Sequence, residues 1–228
     1  MADRTPTSPS PPASAALLRV GVLISGSGRT LMNLHRLATE GQLPIRIVRV
    51  IASRPCGGVD KARAAGLDTH VALFKEMPDV QAYSQRIADL LAEAKVQLAV
   101  QAGFLSFWRI PPALEGRVMN IHPALLPGFG GKGMYGHHVH EAVLAAGCKV
   151  SGCTVHFVTN RYDEGPIIIQ RCVPVREGDT PDTLAGRVFE QECLAYPEAI
   201  RLFAQGRLKI EGQVVRILDE QASGGRPS

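Results

Sequence analysis

Between Leu18 and Met119 short apolar runs alternate with segments of helical period, and that rhythm admits few folds. The runs Leu18–Ile24, Ile45–Ala52, His70–Leu73, Leu98–Val100 and Arg117–Met119 are too short for buried helices and read as strands. Between them lie a helical pattern through Leu31, Leu34 and Leu37, a short helix at Val59–Ala65, and a longer one at Asp79–Ala94. The last repeats Tyr83, Ile87, Leu90, Leu91 and Ala94 at helical spacing. Strand and helix taken in turn predict a parallel sheet with helices on both faces. After that the rhythm changes. A helix at His138–Ala146, stopped by Gly147, is followed by two strands, Val150–Val158 and Pro166–Val175. The first of these alternates in part, as an antiparallel or edge strand does. A long helix, Thr180–Ala204, has Leu184, Val188 and Phe189 facing in, and Leu208–Leu218 suits a small hairpin. The expected fold is α/β and Rossmann-like, with a mostly parallel central sheet and an antiparallel C-terminal extension.

One domain over residues 17–220 accommodates all of this, with a Pro-, Ser-, Thr- and Ala-rich tail at 1–16 and a frayed end at 221–228. A net charge of +4 without a basic block argues against nucleic acid and allows weak attraction of anionic substrates. Five cysteines at 56, 148, 153, 172 and 193 form no C-x-x-C pair and suit free thiols in a reducing compartment. No apolar run is long enough to span a membrane, and the expected location is the cytoplasm.

Two stretches carry chemistry. Ser25-Gly26-Ser27-Gly28-Arg29-Thr30 joins the first strand to the first helix, the layout in which backbone N–H groups hold a phosphate. The third glycine of a dinucleotide fingerprint is absent, and Ser53-Arg54 stands where its acidic residue belongs, so a small phosphate ligand fits better. The second stretch is Asn120-Ile121-His122-Pro123-Ala124-Leu125-Leu126-Pro127. Asn120 and His122 are two apart and leave the same face of a strand. Pro123 ends that strand, so an amide and an imidazole stand at its carboxyl end, where open α/β sheets bind ligands.

These stretches, with Val155-His156-Phe157-Val158-Thr159 and Asp163-Glu164-Gly165-Pro166-Ile167-Ile168, resemble in order and spacing the phosphoribosylglycinamide formyltransferase family. The resemblance runs from about Val20 to Leu208. It implies that the amine of glycinamide ribonucleotide attacks the formyl carbon of 10-formyltetrahydrofolate, a co-substrate, with no metal and no covalent enzyme intermediate. It implies Asn120, His122 and Asp163 as the catalytic trio. The phosphate would lie on the backbone of Gly28, Arg29 and Thr30, and Glu192 would meet the amine end of the substrate. The folate would be held by Leu105, Ser106, Phe107 and Trp108 with Asn120 and the loop Thr159, Asn160, Arg161, Tyr162 and Asp163. The expected assembly is a monomer or homodimer. The residue types suit the reaction on their own terms. Negative charge grows on the formyl oxygen, and Asn120 and a protonated His122 are donors for it. Asp163 favours the imidazolium or positions a water that moves the proton between the two nitrogens.

The chain departs from the family at Arg29, where a small polar residue is usual, and near Ser106 and Val80, where arginines are usual. Arg109, Lys75 and Arg161 are the substitutes at hand. The cluster His137, His138, His140 has irregular spacing and no accompanying cysteine or carboxylate pattern, so it is not read as a metal site. Gly128 to Gly136, with five glycines, is either a cover that closes over the substrate or a long connector. His156, within an apolar strand, reads as a satisfied core residue. Three other functions stay open: a formyltetrahydrofolate hydrolase, a formyltransferase acting on another amine, and a phosphate-binding module without catalysis. The stretch after Leu208 is short for the nucleic-acid-binding barrel of the methionyl-tRNA enzyme, and only the tail precedes Val20.

Overall fold

The computed structural model describes residues 16–219. The tails expected at 1–16 and 221–228 fall outside them, residue 16 excepted. Strands β1 (Leu18–Ile24), β2 (Ile45–Ala52), β3 (Thr69–Val71), β4 (Leu98–Gln101) and β5 (Val118–His122) pair in parallel. Beyond β5 the sheet turns antiparallel through β6 (Val150–Phe157) and β7 (Ile167–Pro174). A hairpin of β8 (Leu208–Glu211) and β9 (Val214–Ile217) closes the far edge, touching β7 in parallel only at Ile167 and Val214. The order is β3-β2-β1-β4-β5-β6-β7-β9-β8. The Rossmann-like α/β fold with an antiparallel extension is thus the one that the alternating pattern predicts.

Alternate residues of the central strands feed two cores. Val20, Val22 and Ile24 of β1 pack on one face with helices α1 (Arg29–Thr39), α2 (Gly57–Ala64), α4 (His137–Ala145) and α5 (Pro181–Ala204). Leu23 goes to the other face, against helix α3 (Val80–Glu93) and the segment from Phe104 to Leu114. At 11 residues α1 is marginal alone in water. Full burial of Leu31 and Leu34 contributes about 2 kcal/mol each and holds it to the sheet.

Several element boundaries differ from expectation. Helix α2 opens at Gly57 rather than Val59, and β3 ends at Val71, before Leu73. Thr180 caps α5 instead of lying in it, its hydroxyl accepting from Thr183 N–H at 3.3 Å. Phe189, expected in the core, is only half-buried and faces a cavity.

The feature that positions the site is the place of β1 between β2 and β4. The chain leaves β1 toward one edge and returns on its other side, which opens a crevice at the carboxyl ends of the strands. Tyr196 of α5 fastens this region from below, its buried hydroxyl shared between the carbonyls of Gln101 (2.9 Å) and Met119 (3.0 Å). No helix among the described residues is long and apolar enough to cross a membrane.

Candidate active site

A cavity of about 660 Å³ opens at that crevice. Its walls come from the turn after β1, the segment after β4, the end of β5, the glycine-rich loop before α4, the loop after β6 and one side of α5.

The turn after β1 is built by close backbone packing. Gly28 is the N-cap of α1 with φ 73°, and a Cβ there would lie 2.8 Å from Gly58 Cα. Glycine is therefore required twice over at this position. No side chain caps α1, so the N–H groups of its first turn keep their capacity to bind an anion. Ser25 locks the turn in place: its hydroxyl lies 2.5 Å from that of Ser53 and accepts from Leu105 N–H at 2.8 Å. Arg29 and Thr30 line the cavity, and the Arg29 guanidinium lies over the Phe189 ring at 3.7 Å. Glu192 faces the same space from α5. Burial pushes its carboxyl up to about 7, with the Arg29 charge opposing.

Asn120, His122 and Asp163 come together, although 43 positions separate the first from the last. Asn120 and His122 end β5. Asp163 stands on the loop after β6 with φ 55°, a left-handed conformation that an Asp tolerates better than most residues. That loop can return to β7 because of Gly165, where a Cβ would run into the Phe157 carbonyl. Asp163 Oδ2 accepts from Gly131 N–H at 2.9 Å and lies 3.6 Å from His122 Nδ1. Burial alone would raise the Asp163 pKa. Its polar neighbours, with the Gly131 N–H donating at 2.9 Å, outweigh it and hold the carboxyl below its usual value. His122 is 3 % exposed and its pKa is lowered, first by burial, against the opposing pull of Asp163 and the Phe129 carbonyl.

Here the geometry departs from a protonated His122 donating into the cavity. A carbonyl only accepts, so the 2.8 Å contact with Phe129 O places the hydrogen on Nε2, and Nδ1 faces Asp163. Phe129 and Gly131 thus tie the glycine-rich loop to the two residues, so the loop is part of the site's scaffold.

At the other end Leu105, Ser106, Phe107 and Trp108 line the cavity with Thr159, Arg161 and Tyr162. Phe107 and Tyr162 meet with ring centroids 5.2 Å apart. Asn160 is not part of this wall. Its amide bridges the Ile110 backbone, accepting from N–H at 2.7 Å and donating to the carbonyl at 3.4 Å, because the loop needs that anchor after β6. Of the basic side chains near this end, Arg161 reaches the cavity while Arg109 and Lys75 do not.

His156 was assigned to the core and is indeed buried, yet it lines the cavity. Its Nε2 is 3.2 Å from Asn120 Nδ2 and 3.6 Å from Asp163 Oδ1. The signal that finds it is register: His156 is directly opposite Asn120 in the antiparallel pair, and opposite residues share a face. Of the other histidines, His137 pairs with Asp182, His138 with Glu141, and His140 is buried. No group of three or more metal-ligating side chains occurs among the described residues.

In sequence and fold the chain is similar to known proteins. The formyl transferase family model covers residues 18–200. The phosphoribosylglycinamide formyltransferase of Escherichia coli is 34% identical over 198 residues, 85% of this chain and 90% of that one. The trifunctional purine biosynthetic protein adenosine-3 of Bos taurus is 40% identical over 84% of this chain, which spans only 19% of that longer protein. The crystal structure of glycinamide ribonucleotide transformylase 1 from Symbiobacterium toebii superposes with a TM-score of 0.83 at 45% identity, over 90% of this chain and 95% of that one. With the family model spanning the sheet from β1 into α5, the chain belongs to the formyl transferase family.

Proposed function

We propose that this chain transfers a formyl group from 10-formyltetrahydrofolate to the amine of glycinamide ribonucleotide. The observation that carries the reading is one cavity that holds the uncapped start of α1 and the trio Asn120, His122 and Asp163. The ribonucleotide phosphate is assigned to the backbone of Gly28, Arg29 and Thr30, and the amine end to Glu192. The folate ring takes the wall from Leu105 to Trp108 and the 159–163 loop. Arg161, half-free in a 3.3 Å exposed pair with Glu164, suits the glutamate tail.

The chemistry follows from the protonation states. The substrate nitrogen forms a bond to the formyl carbon, and the carbonyl electron pair moves onto oxygen. The Asn120 amide donates to that oxygen. The attacking nitrogen loses a proton toward the ionised Asp163 and the free Nδ1 of His122, directly or through one water. A proton on Nδ1 makes an imidazolium beside Asp163, which favours it. The oxygen electron pair then re-forms the carbonyl, the bond between the formyl carbon and the folate nitrogen breaks, and the same proton goes to that nitrogen. No metal and no covalent intermediate is required, and a monomer or homodimer in the cytoplasm suffices.

The test is to give the purified protein 10-formyltetrahydrofolate with and without glycinamide ribonucleotide and to follow deformylation by absorbance. Turnover that needs the amine is the expected result. Turnover without it makes the protein a hydrolase, and no turnover makes it a binding module.

A further inference from the structure

His156 has no part in the proton path above, yet its ring is in contact with the Asn120 amide, directly across the β5–β6 pair. Its Nδ1 is 2.9 Å from the Phe157 carbonyl. That carbonyl can only accept, so Nδ1 carries the hydrogen of the neutral ring, and Nε2 presents a lone pair. Two atoms come near that lone pair: Asn120 Nδ2 at 3.2 Å, within hydrogen-bond reach, and Asp163 Oδ1 at 3.6 Å, beyond it. An amide nitrogen suits it, whereas the amide oxygen would set two acceptors against each other.

We propose that His156 is a positioning residue, which fixes the side-chain amide of Asn120 so that its nitrogen stays on the formyl side of the cavity. The chain of cause runs from backbone to amide. The Phe157 carbonyl selects the His156 tautomer, and the tautomer selects the amide orientation. One Nδ2 hydrogen is held by His156, and the second is left for a developing oxyanion. With the ring gone, the amide rotates freely between a donor and an acceptor aimed at the same point, and half of its orientations repel the negative charge. His156 is 2 % exposed, so little of its ring meets solvent. The inference rests on Asn120 acting as the oxyanion donor, and the tests below separate the two ideas.

His156→Leu fills the space and removes the acceptor. The expected result is a fall in kcat of about 10²-fold, the scale of a misplaced catalytic group, with KM for both substrates within about threefold of wild type. His156→Gln, whose side-chain oxygen can still accept from Asn120, is expected to recover most of that loss. In an Asn120→Ala background His156→Leu is expected to cost less than about twofold, since nothing remains to orient. Equal losses in both backgrounds, or a folded Gln variant no better than Leu, would overturn the proposal. Ring nitrogen chemical shifts by NMR give a readout independent of turnover. A protonated Nδ1 and a hydrogen-bonded Nε2, the latter changed by Asn120→Ala, are expected. The opposite tautomer would also overturn the proposal. Full activity in Asn120→Ala with the expected tautomer intact would remove Asn120 from catalysis while leaving the contact itself established.

Discussion

Asp163 Oδ2 and His122 Nδ1 lie 3.6 Å apart, and both residues hold the same loop, one through the Gly131 N–H and the other through the Phe129 carbonyl. The pair therefore joins the proposed proton path to the glycine-rich loop. Asp163→Asn keeps an acceptor for Gly131 and removes the base. Turnover is expected to fall by about 10²- to 10⁴-fold with the melting temperature little changed. Steady-state kinetics and a thermal scan check this, and a near-normal rate would take Asp163 out of the mechanism.

Glu192 predicts a conflict between stability and activity. Burial lifts its carboxyl to about 7, so the folded protein binds its proton more tightly than the unfolded chain does. Stability from this group is present below the unfolded carboxyl value and is lost as pH rises toward 7. Glu192→Gln removes that loss. At pH 8 the variant is expected to be more stable than wild type by about 1–2 kcal/mol, less than the full shift implies because solvent reaches the cavity. If Glu192 meets the substrate, the same variant loses turnover. Urea melts at pH 6 and pH 8 check the first half, and a gain no larger at pH 8 than at pH 6 would contradict it.

The Arg29 guanidinium rests on Phe189 beside the start of α1. A cation held there adds charge where the backbone offers only dipoles. Arg29→Ser is expected to raise KM for the ribonucleotide about tenfold, one charge-assisted hydrogen bond's worth, with kcat nearly unchanged. Phe189→Leu should fall between the two, since it frees the side chain without removing it. An unchanged KM at low ionic strength in Arg29→Ser would assign the side chain to solvent.

The fold was legible because period is a local property. Five parallel strands and their helices announce themselves through runs such as Val20–Ile24 and spacings such as Tyr83, Ile87 and Leu91. Within the site, Asn120 and His122 were legible because two residues apart on a strand means one face. His156 was not, because its place depends on the β5–β6 register, a non-local fact that no local pattern encodes. Asn160 was misplaced for a related reason. It sits among cavity residues in sequence, but its amide satisfies the Ile110 backbone 50 positions away. Phe189 looked like core by helical spacing, but it faces the cavity, where Arg29 of a different helix lies over its ring.

His140 gives the last prediction, on acid stability. It is 4 % exposed, and burial, with His137 and His122 nearby, lowers its pKa to about 4. The unfolded chain titrates this residue near 6.5, so between about pH 6.5 and pH 4 the unfolded state binds a proton that the folded state refuses. Stability is intact above 6.5 and is lost as pH falls through that window. His122, also lowered by burial, adds to the loss. The carboxyl of Asp163 is held below its usual value, so its own loss comes at lower pH and does not blur the window. Glu192 works in the other direction over the same range, which makes a comparison between two proteins that both keep it the clean one. Relative to wild type, His140→Gln is expected to lose about 2 kcal/mol less between pH 7.5 and pH 4.5. Urea denaturation at both values measures the difference. Parallel losses in the two proteins would mean that His140 takes up its proton in the folded state as readily as in the unfolded one.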